Sequence, residues 1–188
     1  MHNAKALEEF AKNRLKGIPL LGFACTLRVK RNAEIVSKGM EFDEKILHAA
    51  IYLHNLGMEQ ALKYNQDAIA TSIALAKKLM INNNFTQLEI DKVLHCISEA
   101  HLNGKPKTDE AKILHDAKML DECGASGILN DCYAHAQHKK TSPQIASHFV
   151  SKASLLKGAF STQTGKELAE EKVALYEKFA KSLEKEIL

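Results

Sequence analysis

The sequence lacks the features that mark membrane proteins and the commonest catalytic motifs. No apolar run approaches the roughly 20 residues that a membrane-spanning helix needs. The four cysteines form no CxxC pair, which argues against a zinc knuckle. A glycine-rich phosphate loop, a GxSxG motif and an HExxH motif are also absent. These absences disfavour several common enzyme classes.

Charge is spread evenly along the chain. Its 26 Lys and Arg residues alternate with 23 Asp and Glu residues, so no basic block favours a nucleic-acid or membrane partner. The first residues, "MHNAKALEEFAKNRL", have a charged helical pattern that is not typical of a signal peptide. We therefore expect a cytoplasmic protein whose cysteines are reduced and buried: Cys25, Cys96, Cys123 and Cys132.

The hydrophobic pattern is helical almost throughout. Strand alternation is scarce, and only three prolines interrupt the chain. A length of 188 residues suits one domain, so we predict a single all-α domain over 1–188 with about eight to nine helices. The pattern places them at about 4–16, 21–39, 43–55, 67–82, 86–102, 108–122, 125–137, 143–157 and 164–187.

Helix starts carry recognisable capping residues. Asp43 is predicted to cap the helix that ends at His54. Thr86 with Glu89, and Thr164 with Glu167, fit the capping box. The last helix is predicted to bury one stripe of large side chains at three- and four-residue spacing: Leu168, Tyr176, Phe179, Leu183 and Ile187.

Histidines recur near the predicted helix ends. His54 ends one helix, while His95 and His101 lie on or just past another. Imidazoles and carboxylates from several helix ends can hold a metal, but a lone histidine is more often a surface or half-buried residue. His115-Asp116 is the single His-Asp dipeptide in the chain, and we interpret it as a chance pair.

Four segments together resemble the HD-domain phosphohydrolases, of the small bacterial type that includes nucleotide pyrophosphohydrolases. The resemblance covers about residues 20–185 and implies an HD-type helical fold. The segments are "CTLRVKRNAEIVSKG", "ILHAAIYLHNLG", "EAKILHDAKMLDECGASGIL" and "SHFVSKASLLKGAFSTQTGKELAEEKVALYEKF".

This resemblance implies a divalent ion that activates water for attack on a phosphate ester or anhydride. The family's ligands are an early His, a His-Asp pair and a late Asp. They fall on Cys25, His54, Asn55 and Lys118, so three of the four are replaced. Further positions of the family, beyond its four metal ligands, fall on Arg28, His101, Asn130 and Lys172.

Lys118 is the replacement with the largest electrostatic effect. An ammonium close to a bound dication adds several kcal/mol of repulsion, even at an effective dielectric of about 20. Lys118 either supplies the lost positive charge and holds an anionic ligand, or pairs with Asp116 or Asp121 and fills the centre.

Three functional hypotheses follow. The one we favour is a catalytically inactive or repurposed binding or regulatory protein with no metal and a small phosphorylated or nucleotide ligand. The second is a metal-dependent phosphohydrolase with Mn, Fe or Zn in an altered centre made of Cys25, His54, His101 and Asp116. The third is a structural or regulatory helical domain, including a homodimer.

Overall fold

Ten helices and no strand make up the part of the chain that the computed structural model describes, which is the backbone of residues 2–187 and the side chains of residues 4–187. The predicted all-α fold is confirmed. Met1 and Leu188 of the predicted domain lie outside the described residues. The helices are α1 (His2–Arg14), α2 (Phe23–Val36), α3 (Glu44–Leu53), α4 (Met58–Tyr64), α5 (Ala68–Asn82), α6 (Gln87–Glu99), α7 (Asp109–Glu122), α8 (Gly124–Gln137), α9 (Ser142–Leu156) and α10 (Gln163–Ile187).

Helix α7 lies at the centre of the fold. It packs against α2, α3, α6, α8 and α10, and most of its residues from Ala111 to Asp121 are buried. Helix α3 is also buried on nearly every side, from Ile46 to Leu53. A helix that is apolar all round belongs inside a protein. The end of α3 therefore meets α7 in the interior, and this meeting positions the candidate site.

The short helix α4 was not predicted. Its seven residues, "MEQALKY", are good helix formers but carry no long apolar stripe that periodicity could reveal. Gly57 lies directly before it, and a Cβ there would collide with the carbonyl oxygen of Ala68. Ser72 Oγ also accepts a hydrogen bond from Gly57 N at 2.9 Å. Only glycine permits this close approach of α4 to α5.

The predicted caps are partly confirmed. The Asp43 carboxylate accepts hydrogen bonds from Lys45 N and Ile46 N, and Thr86 with Glu89 forms the capping box of α6. The prediction for Thr164 is wrong, because α10 already begins at Gln163. Thr162 takes the capping role instead, since its Oγ1 accepts a hydrogen bond from Gly165 N at 2.9 Å.

Helix α10 buries small side chains as well as large ones. Tyr176 is fully buried, and Phe179 and Leu183 pack against the core. Leu168 is 38% exposed, so that part of the predicted stripe is wrong; Ala169 and Ala180 are buried. Although α10 is 25 residues long, its polar face is highly charged. Among the described residues, no helix combines the length and hydropathy that a bilayer crossing requires.

All four cysteines have free thiols. Cys25, Cys96 and Cys123 are buried, as the sequence predicted. Cys132 is exposed, because it lies on the outer face of α8. Within the described part of the chain, no thiol is therefore part of a disulfide.

Candidate functional site

A cavity of about 470 Å³ collects most of the residues that the sequence singled out. Cys25, Asn55, His101, Lys118 and Asp121 all line it. One part of its lining is apolar, with Leu21, Met58, Ala61, Leu62, Leu102 and Ala134. The other part is charged or polar, with Glu122, Asn130, Asp131, His138, His148 and Lys152.

Asp121 is held by three neighbouring side chains. Arg28 Nε donates to Asp121 Oδ1, and an Arg28 terminal NH₂ donates to Oδ2 at 3.0 Å. Asn130 Nδ2 also donates to Oδ2, at 3.3 Å. Asp121 is 2% exposed, so the two-pronged ion pair with Arg28 neutralises a buried charge. Its oxygens are already engaged by protein donors.

The thiol of Cys25 is the remaining partner of Asp121. Its S–H donates to Asp121 Oδ2 at 3.2 Å. Burial, followed by the charge and hydrogen bond of Asp121, raises the pKa of Cys25 far above its usual value. Metals bind the thiolate rather than the thiol. The Cys25 side chain is thus a protonated hydrogen-bond donor.

Lys118 is anchored at the C-terminal end of a neighbouring helix. Its Nζ donates to the carbonyl oxygen of Ala100, the residue that caps α6, at 2.7 Å. It also pairs with Glu122 Oε1 at 3.2 Å. The predicted alternative of a pair with Asp116 or Asp121 is wrong. Glu122 lies one helical turn further along α7, where i,i+4 spacing brings opposite charges together.

His54 is buried as a neutral ring. Its Nδ1–H donates to Ile51 O at 2.7 Å, because a carbonyl oxygen can only accept. Burial, followed by the positive charge of Lys118, lowers the pKa of His54 to about 4. Its Nε2 carries the free lone pair and has no hydrogen-bond partner among the residues that the structure describes.

Asn55 uses its amide as a donor. Its Nδ2 donates to Leu21 O at 2.6 Å, and the residue is 4% exposed. This bond ties the end of α3 to the loop before α2. An ionised aspartate has no N–H to donate and would face a carbonyl oxygen instead. The amide at position 55 therefore has a structural role of its own.

Asp116 does not reach the cavity. It is fully buried and accepts hydrogen bonds from Ser161 N, Thr162 N and Thr162 Oγ1 at 2.9, 2.7 and 2.7 Å. His115 Nδ1 donates to it as well, at 3.0 Å. The dipeptide that looked accidental joins α7 to the start of α10. A Cβ at Gly165 would collide with Asp116, so glycine is required there.

The predicted altered centre of Cys25, His54, His101 and Asp116 is therefore not assembled as a set. His101 lines the cavity, where its Nδ1 accepts from Asn103 N at 3.3 Å, while Asp116 binds the start of α10. Among residues 4–187, no group of three or more His, Cys, Asp or Glu side chains is placed to hold a metal ion.

A second polar cluster, made of Asp131, His148 and Lys152, was missed from the sequence. Lys152 Nζ contacts both Asp131 oxygens, at 3.0 and 2.9 Å, and is 7% exposed. Tyr176 OH donates to Asp131 Oδ2, and His148 Nε2 lies 3.6 Å from Oδ1. A signal was available, because Lys152 falls within the buried stripe of α9 beside Phe149 and Leu156.

No family model matches the sequence. Solved structures do share its architecture, including an HD-superfamily hydrolase of Bacillus thuringiensis with a TM-score of 0.68. The two chains are 21% identical, and the match covers 98% of this chain and 96% of that one. The chain therefore has the fold of the HD-superfamily hydrolases, which confirms the predicted resemblance at the level of the fold.

Two further proteins share this fold. YpgQ, an uncharacterized protein of Bacillus subtilis (strain 168), is 27% identical over 171 residues, which span 85% of this chain and 81% of YpgQ. The crystal structure of YpgQ in complex with ADP matches with a TM-score of 0.69 and 22% identity, over 98% of this chain and 97% of YpgQ. A protein of Lactobacillus plantarum matches with a TM-score of 0.80 and 20% identity, over 98% and 96%.

Proposed function

We propose that this chain binds a small phosphorylated ligand, of the nucleotide class, and does not act as a metal-dependent phosphohydrolase. The observation that carries the proposal is the state of Asp121. Its carboxylate is neutralised by Arg28 and also accepts from Cys25 and Asn130. This carboxylate, which contacts Cys25 at the position of the family's early histidine, is thus bound by a cation of the protein itself.

The residues present do not fit the divalent metal that the fold family implies. Cys25 is a protonated donor, Asn55 donates its amide to Leu21 O, and Lys118 adds a positive charge. A dication would face the repulsion of Lys118 while gaining only the neutral ligand His54.

The lining of the cavity supports a ligand with two chemically different ends. The apolar part, with Leu21, Met58 and Leu62, suits a flat base, whereas Lys118 and Lys152 suit a phosphoryl group. The structurally similar YpgQ has been crystallised with ADP. ADP is accordingly the probe we select for this chain.

The test combines a binding assay, a metal analysis and an activity assay. Protein purified without chelators is expected to contain no stoichiometric metal, to bind ADP in the presence of EDTA by calorimetry, and to leave nucleotides intact with added Mn²⁺ or Mg²⁺. Ala61→Trp should block the cavity and abolish binding, while Ala174→Trp, on an exposed face of α10, serves as the matched control. Efficient nucleotide hydrolysis that His54→Ala abolishes would overturn the proposal.

One observation favours a second candidate, a phosphohydrolase with an altered centre. His54 holds its Nδ1–H on a backbone carbonyl and leaves Nε2 unpaired, which is the arrangement of a metal-binding histidine. Under this alternative, the elemental analysis finds zinc, iron or manganese at about one ion per chain. A chelator would then lower the thermal stability of the wild type but not that of His54→Ala.

A further inference from the structure

Glu122 lies between two lysines at the wall of the cavity. Its Oε1 pairs with Lys118 Nζ at 3.2 Å, and its Oε2 lies 3.9 Å from Lys152 Nζ. All three residues line the cavity. The two ammonium groups therefore contact opposite oxygens of one carboxylate.

Both lysines are fixed by further bonds, so their positions do not depend on Glu122 alone. Lys118 donates to Ala100 O, and Lys152 is held by both oxygens of Asp131. Burial opposes the ionisation of Glu122, but the charges of Lys118 and Lys152 outweigh burial and hold its pKa below the usual value. An anion is thus stabilised at this point.

Charges across the cavity wall balance in number. Each base has one acid as its partner: Arg28 pairs with Asp121, Lys118 with Glu122, and Lys152 with Asp131. Asp121 is buried and accepts a hydrogen bond from the neutral Asn130, and Asp131, whose side chain is 14% exposed, accepts one from the neutral Tyr176. The side chain of Glu122 is 27% exposed and, among the described residues, accepts no hydrogen bond from a neutral donor. Glu122 is therefore the acid whose displacement from its lysine partners costs the least free energy.

We propose that Lys118 and Lys152 form the subsite for the phosphoryl group of the ligand, and that Glu122 is a resident anion which competes with that group. This inference rests on the proposed function. A phosphoryl group carries more negative charge than a carboxylate and offers more acceptor oxygens, so it can displace Glu122 from both lysines. The affinity for phosphorylated ligands is then set by an acid within the site itself.

The test compares ADP, adenosine and inorganic phosphate by calorimetry on four proteins: wild type, Glu122→Gln, Lys118→Met and Asp109→Asn. Glu122→Gln removes the competing charge without changing shape, so ADP should bind about tenfold more tightly. Lys118→Met should bind ADP about tenfold more weakly. Adenosine should bind all four proteins equally. Asp109→Asn is the matched control, because it removes one negative charge from an exposed ion pair on the same helix.

The outcomes separate this inference from the proposed function. If the wild type binds ADP but Glu122→Gln binds it no more tightly, the resident-anion role is overturned while ligand binding stands. If adenosine binds as tightly as ADP, the phosphoryl subsite is overturned. If neither the wild type nor Glu122→Gln binds ADP, both proposals fall. Lys152→Met is a second probe of the subsite. Because Lys152 is buried and paired with Asp131, this variant is used only if its melting curve shows a folded protein.

Discussion

Single side chains in this structure have roles that differ from those which the HD-domain resemblance implies for their positions. Asn55 is the clearest case, because its amide N–H reaches Leu21 O inside the protein. A buried acceptor that loses its donor costs the full desolvation of that group. The identity of one atom, nitrogen or oxygen, therefore decides whether the end of α3 is tied to the loop before α2.

Asn55→Asp is expected to lower the free energy of unfolding by about 2 kcal/mol or more, since a carboxylate would replace the donor beside Leu21 O. Urea denaturation at neutral pH measures the change. Asn103→Asp, on the exposed loop after α6, introduces the same charge and should have almost no effect. Equal stability of the two variants would contradict the structural role of the Asn55 amide.

At the scale of elements, the join between α7 and α10 depends on one carboxylate. Asp116 receives two backbone N–H groups from the segment that begins α10, together with the hydroxyl of Thr162. Thr162 in turn caps the helix through Gly165 N. The start of α10 is thus positioned by a residue that lies 45 positions earlier in the chain.

Asp116→Asn should destabilise the protein by about 2 to 3 kcal/mol, because the amide can accept fewer bonds and brings an N–H toward other N–H groups. Hydrogen exchange at Ser161 and Thr162 should accelerate more than exchange in α3. The exposed Asp109→Asn variant provides the comparison on the same helix. Uniform acceleration throughout the protein would argue against a local anchor.

Most elements could be predicted from the sequence, since long apolar periodicity and local caps specify them. Asp43 and the Thr86–Glu89 box mark their helices through bonds within a few residues. The start of α10 could not be predicted correctly, because it depends on the distant Asp116. Helix α4 was missed because it is short and packs through the close approach at Gly57.

At the scale of the whole molecule, a buried neutral histidine links stability to pH. Burial and Lys118 lower the pKa of His54 to about 4 from an ordinary value of 6.5. Between pH 6.5 and 4, the imidazole of His54 is therefore mostly protonated in the unfolded chain and neutral in the folded chain. The stabilisation is present above pH 6.5 and is lost as the pH falls toward 4.

The wild type should lose about 3 kcal/mol of unfolding free energy between pH 6.5 and 4 from His54 alone. His54→Gln should show a flatter profile over this window, as measured by urea denaturation at each pH. His138→Gln removes an imidazole that lines the cavity and serves as the control. Burial alone would raise the pKa values of Glu122 and Asp131, but nearby hydrogen bonds and positive charges lower them. The stability that these two acids provide is therefore lost only as the pH falls below about 4.5. A profile equally steep in His54→Gln would contradict this account.

The candidate site was predicted in part. The family resemblance brought Cys25, Asn55, His101 and Lys118 to attention, and all four line one cavity. It could not predict the partners of Lys118, because the resemblance implies an acid at that position, whereas here a lysine pairs with Glu122 one helical turn further along. Asp131 and Lys152 come from different helices, and only the packing of α8 and α9 brings them together.

The contacts of Cys25, Asn55 and Lys118 restrict the routes by which this chain could change. Each of these side chains has a partner suited to it: Asp121 for the thiol, Leu21 O for the amide and Ala100 O for the ammonium. An acid placed alone at position 118 would meet a carbonyl oxygen and Glu122, and one placed alone at position 55 would meet another carbonyl oxygen. A single substitution toward an acidic, ion-holding centre would therefore destabilise the fold, and several partners would have to change together to restore one.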